Sequence, residues 1–177
     1  MIKSFTAVAA ILFATSANAG DTATLLSKIQ NTDRLSTFSQ ILENMDIAED
    51  LSRKGAYTIF APTDAAFAAL DDSTMDLLML PENAAELAAL VLYHIDDRKL
   101  TSHSLAPGAH YYQPILTATQ ADARLCITNA GSITLGDSTD DLATVTDADI
   151  KASNGVLHLI DKVLVPGSVP PCARMNE

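Results

Sequence analysis

Hydrophobic positions along this chain recur at helical spacing up to about residue 95 and in short alternating runs beyond it. Leu25, Leu26 and Ile29, behind Thr24, predict a short first helix. Leu35, Phe38, Ile41, Leu42 and Met45 predict a second, with Asp33 placed to cap it. Ile47, Ala48 and Leu51 add another turn or two, stopped by Gly55. The stretch from Tyr57 to Leu70 then changes character in mid-course. Tyr57-Thr58-Ile59-Phe60 suits a buried strand, Pro62 turns the chain, and Phe67 and Leu70 share one face of a new helix. Thr63 can cap that helix and Asp64 faces its positive end. Asp72-Ser73 opens a helix over 74–80, and Pro81, with Glu82 and Glu86, opens a longer one whose apolar face is Leu87, Leu90, Val91 and Tyr93.

At Tyr93-His94-Ile95 the pattern passes to extended chain, and Asp96-Asp97-Arg98-Lys99 reads as a solvated turn. Tyr111-Tyr112, Ile115-Leu116-Thr117 and Leu125-Cys126-Ile127-Thr128 are strand-like runs. Asn129-Ala130-Gly131 predicts a hairpin into Ile133-Thr134-Leu135. Gly136 to Asp141 is an acidic loop, and Ala143 to Ile150 a strand pair or one bent strand. Asn154-Gly155 turns into the last run, Val156 to Val165, which Pro166 ends. A helical first half and a strand-rich second half, without repeat or linker, make one α+β domain.

The first residues read as an address. Lys3, the apolar run Ala7 to Phe13 and the small residues Ala17-Asn18-Ala19 predict a signal peptide over 1–19, leaving a domain over 20–168 and a tail over 169–177. The apolar run is shorter than a bilayer span, which weighs against the alternative of a membrane anchor. The expected product is exported, periplasmic or secreted, with no transmembrane segment. The 177 residues include 11 basic and 22 acidic ones, a net charge of −11, which disfavours nucleic acid and anionic membranes as partners and favours a monomer or weak oligomer. Cys126 and Cys172, in an oxidising compartment, predict a disulfide that staples the tail to a strand. A metal or redox pair, the alternative, lacks the close CxxC spacing.

Of the four histidines, His94 and His158 sit inside structural runs and predict buried imidazoles, while His103 and His110 belong to loop-and-strand surface. No HxxxH or HExxH spacing occurs, so no metal is expected, and no motif implies a cofactor. There is no GxSxG elbow and no glycine-rich phosphate loop. Asp64 beside His94 would resemble an acid–base pair, but capping accounts for Asp64 and a locked turn for His94.

Three stretches stand in order: Thr58-Ile59-Phe60-Ala61-Pro62-Thr63-Asp64-Ala65-Ala66-Phe67, then Tyr93-His94-Ile95, then Ala152-Ser153-Asn154-Gly155-Val156-Leu157-His158-Leu159-Ile160-Asp161. Together they resemble the boxes of a fasciclin-type (FAS1) domain over roughly Asp33 to Pro166. The resemblance implies a β-wedge with helices packed on one side and a family linked to adhesion and matrix binding. It marks Thr63, Asp64, Asn154, Gly155 and His158 as structural, and Tyr93-His94 and Asp149-Ile150 as contact positions. The acidic insertion over 136–142 and the cysteine pair lie outside the family pattern. Tyr111 and Tyr112 point to opposite faces when extended, so one belongs to the core and the other to a contact patch. The expected function is an exported, non-catalytic interaction module for a protein, homophilic or heterophilic, or for envelope or matrix polysaccharide. The alternatives are a carrier of a small apolar ligand in a groove of the domain and, third, a hydrolase.

Overall fold

The computed structural model describes residues 22–45, 47–53, 55–115, 123–167 and 172. The leader over 1–19, Leu116-Thr117 of the third strand-like run and the tail around Cys172 lie outside them.

Two long apolar runs meet at the centre. β1 (Tyr57–Pro62) and β7 (Gly155–Ile160) pair in parallel, from Tyr57 opposite Gly155 to Pro62 opposite Ile160. Their sequences are almost continuously apolar because both faces are covered. Ile59, Ala61, Leu157 and Leu159 turn into one core, and Phe60 and Ile160 into another. At Gly155 an added Cβ would lie 2.1 Å from the Tyr57 carbonyl oxygen and 2.6 Å from Leu25 Cδ1, so only glycine lets the two strands close.

Around this pair the sheet has seven strands among the described residues, in the order β2-β1-β7-β6-β5-β4-β3. β2 (Ile95–Asp96) flanks β1, while β6 (Leu142–Ala152) carries the sheet outward to β5 (Ile133–Gly136), β4 (Leu125–Asn129) and the edge strand β3 (Gly108–Tyr112). β6 is the bent single strand, not a pair. Leu142 to Thr144 pair with β5, Val145 to Ala152 pair with β7, and two register shifts between Val145 and Ile150 turn it from one half to the other. β3 stops at Tyr112, ahead of the expected run at Ile115. Pro114 carries no N–H for a ladder, and Ile115 packs against the helical core instead.

The helices are α1 (Leu25–Gln30), α2 (Ser36–Glu43), α3 (Ile47–Asp50), α4 (Asp64–Ala68), α5 (Asp72–Leu78) and α6 (Ala84–Tyr93). They bury Leu25, Ile29, Phe38, Ile41, Phe67 and Val91 against the β1–β7 face, which gives the mixed α+β architecture. Caps differ from the pattern in an instructive way. Asp33 lies inside a 3-10 turn (Asp33–Leu35), and α2 is capped from far away, by Asp64. Its carboxylate accepts from Thr37 N at 2.7 Å, Ser36 N at 3.2 Å and Ser36 Oγ at 2.9 Å. Thr63 takes the local task, accepting from Ala66 N at 3.3 Å. The segment after β1 therefore fixes two helices at once. Pro81 likewise opens a 3-10 turn (Pro81–Asn83) rather than α6 itself.

Candidate contact surface

The end of α6 sits between the two cores, and this decides the role of Tyr93-His94. Both side chains are buried, so they hold the interior and do not offer a surface to a partner. The Tyr93 hydroxyl donates to Arg124 O at 2.7 Å. Leu164 N–H can only donate, so the His94 Nε2 it meets at 3.0 Å is the acceptor, and Nδ1–H donates to Leu90 O at 2.7 Å. Burial lowers the His94 pKa to about 4, against a weaker upward pull from the Leu90 carbonyl and the Asp137 charge. His158 is also held below its ordinary value, by burial first. It accepts from Asp149 N at 3.2 Å through Nδ1, donates to Leu100 O at 2.7 Å through Nε2, and stacks on Phe60.

Both imidazoles are thus neutral in the fold and free to charge in the unfolded chain. Since their folded pKa values are depressed, the unfolded state binds more protons once pH drops below about 6.5, and stability falls with pH through that window. For His94 alone the full loss down to pH 4 is about 3 kcal/mol. Urea titrations between pH 7 and 4 measure it, and a flat profile would refute the neutral pair.

Asp149-Ile150 lies at the second bulge of β6. Asp149 has φ 62, a left-handed conformation costly for a residue with a Cβ, and its surroundings impose it. His158 receives its N–H, and its carboxylate accepts from Ser102 N at 2.8 Å and from the Ser102 hydroxyl. Burial opposes ionisation here, but the Ser102 bonds outweigh it and hold the carboxyl below the usual range. Ile150 is half-buried against the helical core. Asp149 therefore faces inward, as a clamp on the 101–105 loop. His103 Nδ1 lies 3.2 Å from Ser102 Oγ, yet a hydrolytic triad needs the imidazole between serine and carboxylate. Here the serine donates directly to the carboxylate.

Tyr111 and Tyr112 divide as the pleat requires. Tyr112 packs on the second core, with the Arg98 guanidinium 5.5 Å above its ring. Arg98 is itself anchored on Asp96 through Nε at 2.8 Å and Nη2 at 2.6 Å. Tyr111 is 45% exposed, and Arg124 lies 5.8 Å over it. Tyr111 is opposite Cys126, so Tyr111, Cys126 and Arg124 line one face of the outer ribbon. β3 is the last strand of the sheet, and no described strand pairs with its outer edge.

A family model for the Fasciclin domain matches residues 33–166. The chain belongs to the fasciclin family. The protein sll1483 of Synechocystis is 34% identical over 145 residues, covering 81% of this chain and 73% of that one. Human periostin is 30% identical over 146 residues, and pig transforming growth factor-beta-induced protein ig-h3 is 32% identical over 154 residues. The chain spans only 16% and 21% of those two. Among solved structures, a FAS1 domain pair from the insect cell adhesion molecule Fasciclin I matches 81% of this chain and 51% of its own, with TM-score 0.58 and 18% identity, a likeness of fold.

Within this fasciclin domain the acidic loop over 137–141 is not simply solvated. Asp137 is fully buried and accepts from Val165 N and Thr139 N, each at 2.8 Å, and from Lys162 Nζ at 3.3 Å. It ties the insertion to the segment after β7. An acidic run conceals such a residue; the one hint is Lys162, a lone cation closing an apolar strand. The two cysteines are joined, Cys126 of β4 to Cys172. An open groove of about 360 Å³ lies where α4 meets the 3-10 turn, lined by Asp33, Arg34, Thr63, Asp64, Thr146 and Asp161. Ala65 completes the lining beside the three carboxylates.

Proposed function

We propose that this fasciclin domain is an exported, non-catalytic module that binds a protein or polysaccharide by surface contact at the outer edge of its sheet. The observation that carries the reading is the Tyr111–Arg124 pair on one face of the β3–β4 ribbon that ends the sheet: an exposed aromatic with a guanidinium stacked over it, two of the residue types most enriched at contact centres. The polar interior supports it from the other side. Every buried side-chain nitrogen and oxygen among the described residues has a hydrogen-bond partner, so His94, His158 and Asp137 are committed to structure. The disulfide suits an oxidising compartment, and no helix among the described residues is long and apolar enough to cross a membrane. The fold shared with a domain pair of an insect cell adhesion molecule is consistent with this reading.

The test is a pull-down from envelope extract, with a glycan array beside it, comparing the parent with Tyr111→Ala/Arg124→Ala. The variant should lose roughly tenfold in retained partner while melting at the same temperature. Equal retention by both proteins would remove the edge as the contact site.

A further inference from the structure

Five large apolar side chains are exposed among the described residues, and three of them fall within four positions: Leu77 at 56%, Met79 at 47% and Leu80 at 38%. Single exposed apolar groups are ordinary; three on one corner are not. They are not the fringe of the core either. α5 directs Met75 and Leu78 inward to the helical core, while Leu77 and Leu80, three residues apart, stay exposed with Met79 between them in sequence.

This corner is rigid. Asn83 Nδ2 donates to Leu77 O at 2.7 Å, Leu80 N–H to the same carbonyl at 3.2 Å, and Asn83 N–H to Leu80 O at 2.9 Å. These bonds fix the backbone that carries the three side chains, so less backbone entropy is lost when something docks on them.

The charge carried by the same stretch of chain selects what docks. From Gly55 to Asp97 the sequence contains no lysine or arginine. Asp71, Asp76, Glu82 and Glu86 are exposed along the same stretch. We propose that the α5 corner is a docking site for a partner protein that presents a basic amphipathic segment, its apolar face on Leu77, Met79 and Leu80 and its lysines or arginines against Asp76, Glu82 and Glu86. A second copy of this chain would bring the same acidic rim to the contact, and an anionic membrane is repelled for the same reason. The corner shares no residue with the β3 edge, so either surface can fail without the other.

Two labelled peptides test it: four repeats of Leu-Lys-Lys-Leu, and the same peptide with every leucine replaced by serine. Fluorescence anisotropy with the purified protein should show binding of the leucine peptide, weakened at high salt, and at least about tenfold weaker binding of the serine peptide. Leu77→Asn/Leu80→Asn should reduce affinity for the leucine peptide by about tenfold or more, while Leu142→Asn, an exposed apolar residue elsewhere, should not. Both positions are exposed, and an unchanged melting temperature verifies the fold of the variant. Equal binding of the two peptides, or equal loss in the Leu142→Asn control, overturns the site. Sedimentation that shows the parent self-associating and the double variant monomeric overturns the choice of partner, because the corner would then bind a second copy.

Discussion

Asn154→Ala is expected to destabilise the domain by about 4 kcal/mol. Asn154 is buried in the two-residue turn between β6 and β7, and its amide serves three separate backbone groups. Oδ1 accepts from Leu25 N at 2.8 Å, at the start of α1. Nδ2 donates to Leu51 O at 2.6 Å and to Arg53 O at 3.0 Å, in the segment after α3. The Asn154 carbonyl also accepts from Tyr57 N, the first residue of β1. Alanine would leave one N–H and two carbonyls without these partners, and an unmet buried polar group costs roughly 1–3 kcal/mol. Asn154→Asp keeps the acceptor for Leu25 but sets a carboxylate against two carbonyls, so it should fare no better than alanine. Urea unfolding of the three proteins measures this. A loss below about 1 kcal/mol for alanine would mean that water replaces the amide and that the turn is not the clamp.

The same residue shows how far the chain could be read without coordinates. The doubled apolar runs at β1 and β7 and the Gly155 turn are local patterns, and so is the change from helical to alternating spacing near Ile95. These were legible. The partners of Asn154 lie 129 and 103 residues away, and no periodicity reports a contact of that span. Asp64 makes the same point, because a capping residue was recognisable but the helix that it caps, α2, was not. The contact positions fared unevenly for a related reason. Tyr93 and His94 carry the polar groups of a surface pair, yet they stand where α6 steps into β2 between two cores, and topology alone buries them. Tyr111 stays outside because its side of the β3–β4 ribbon faces away from the second core, which depends on how the whole sheet packs. The Leu77 corner looks like ordinary helix in the sequence, since spacing alone cannot show that Met75 and Leu78 already satisfy the core.

Removing the disulfide is expected to cost about the same as removing the Asn154 clamp, but by acting on the other side of the folding equilibrium. Cys126 and Cys172 are 46 residues apart, and opening a loop of that length returns about 4 kcal/mol of chain entropy to the unfolded state. Cys126→Ala/Cys172→Ala should therefore melt on the order of 10 °C lower. Its urea m-value should rise, because a denatured chain without the tether exposes more surface. Native contacts near the tether need not change. Val165 N still donates to Asp137, and Ser138 N and Oγ still donate to Val165 O, so the chain after β7 stays laced to the 137–141 loop up to that point. Comparing the double variant with the reduced parent separates the two origins. If both lose the same stability with the same rise in m, the tether works through the unfolded chain. If the alanine variant loses more, the excess measures the packing of the buried sulfur atoms between β4 and the tail. A loss under about 1 kcal/mol in both would show that the Asp137 knot suffices to hold the chain after β7 as far as Val165, and that the disulfide contributes little to stability.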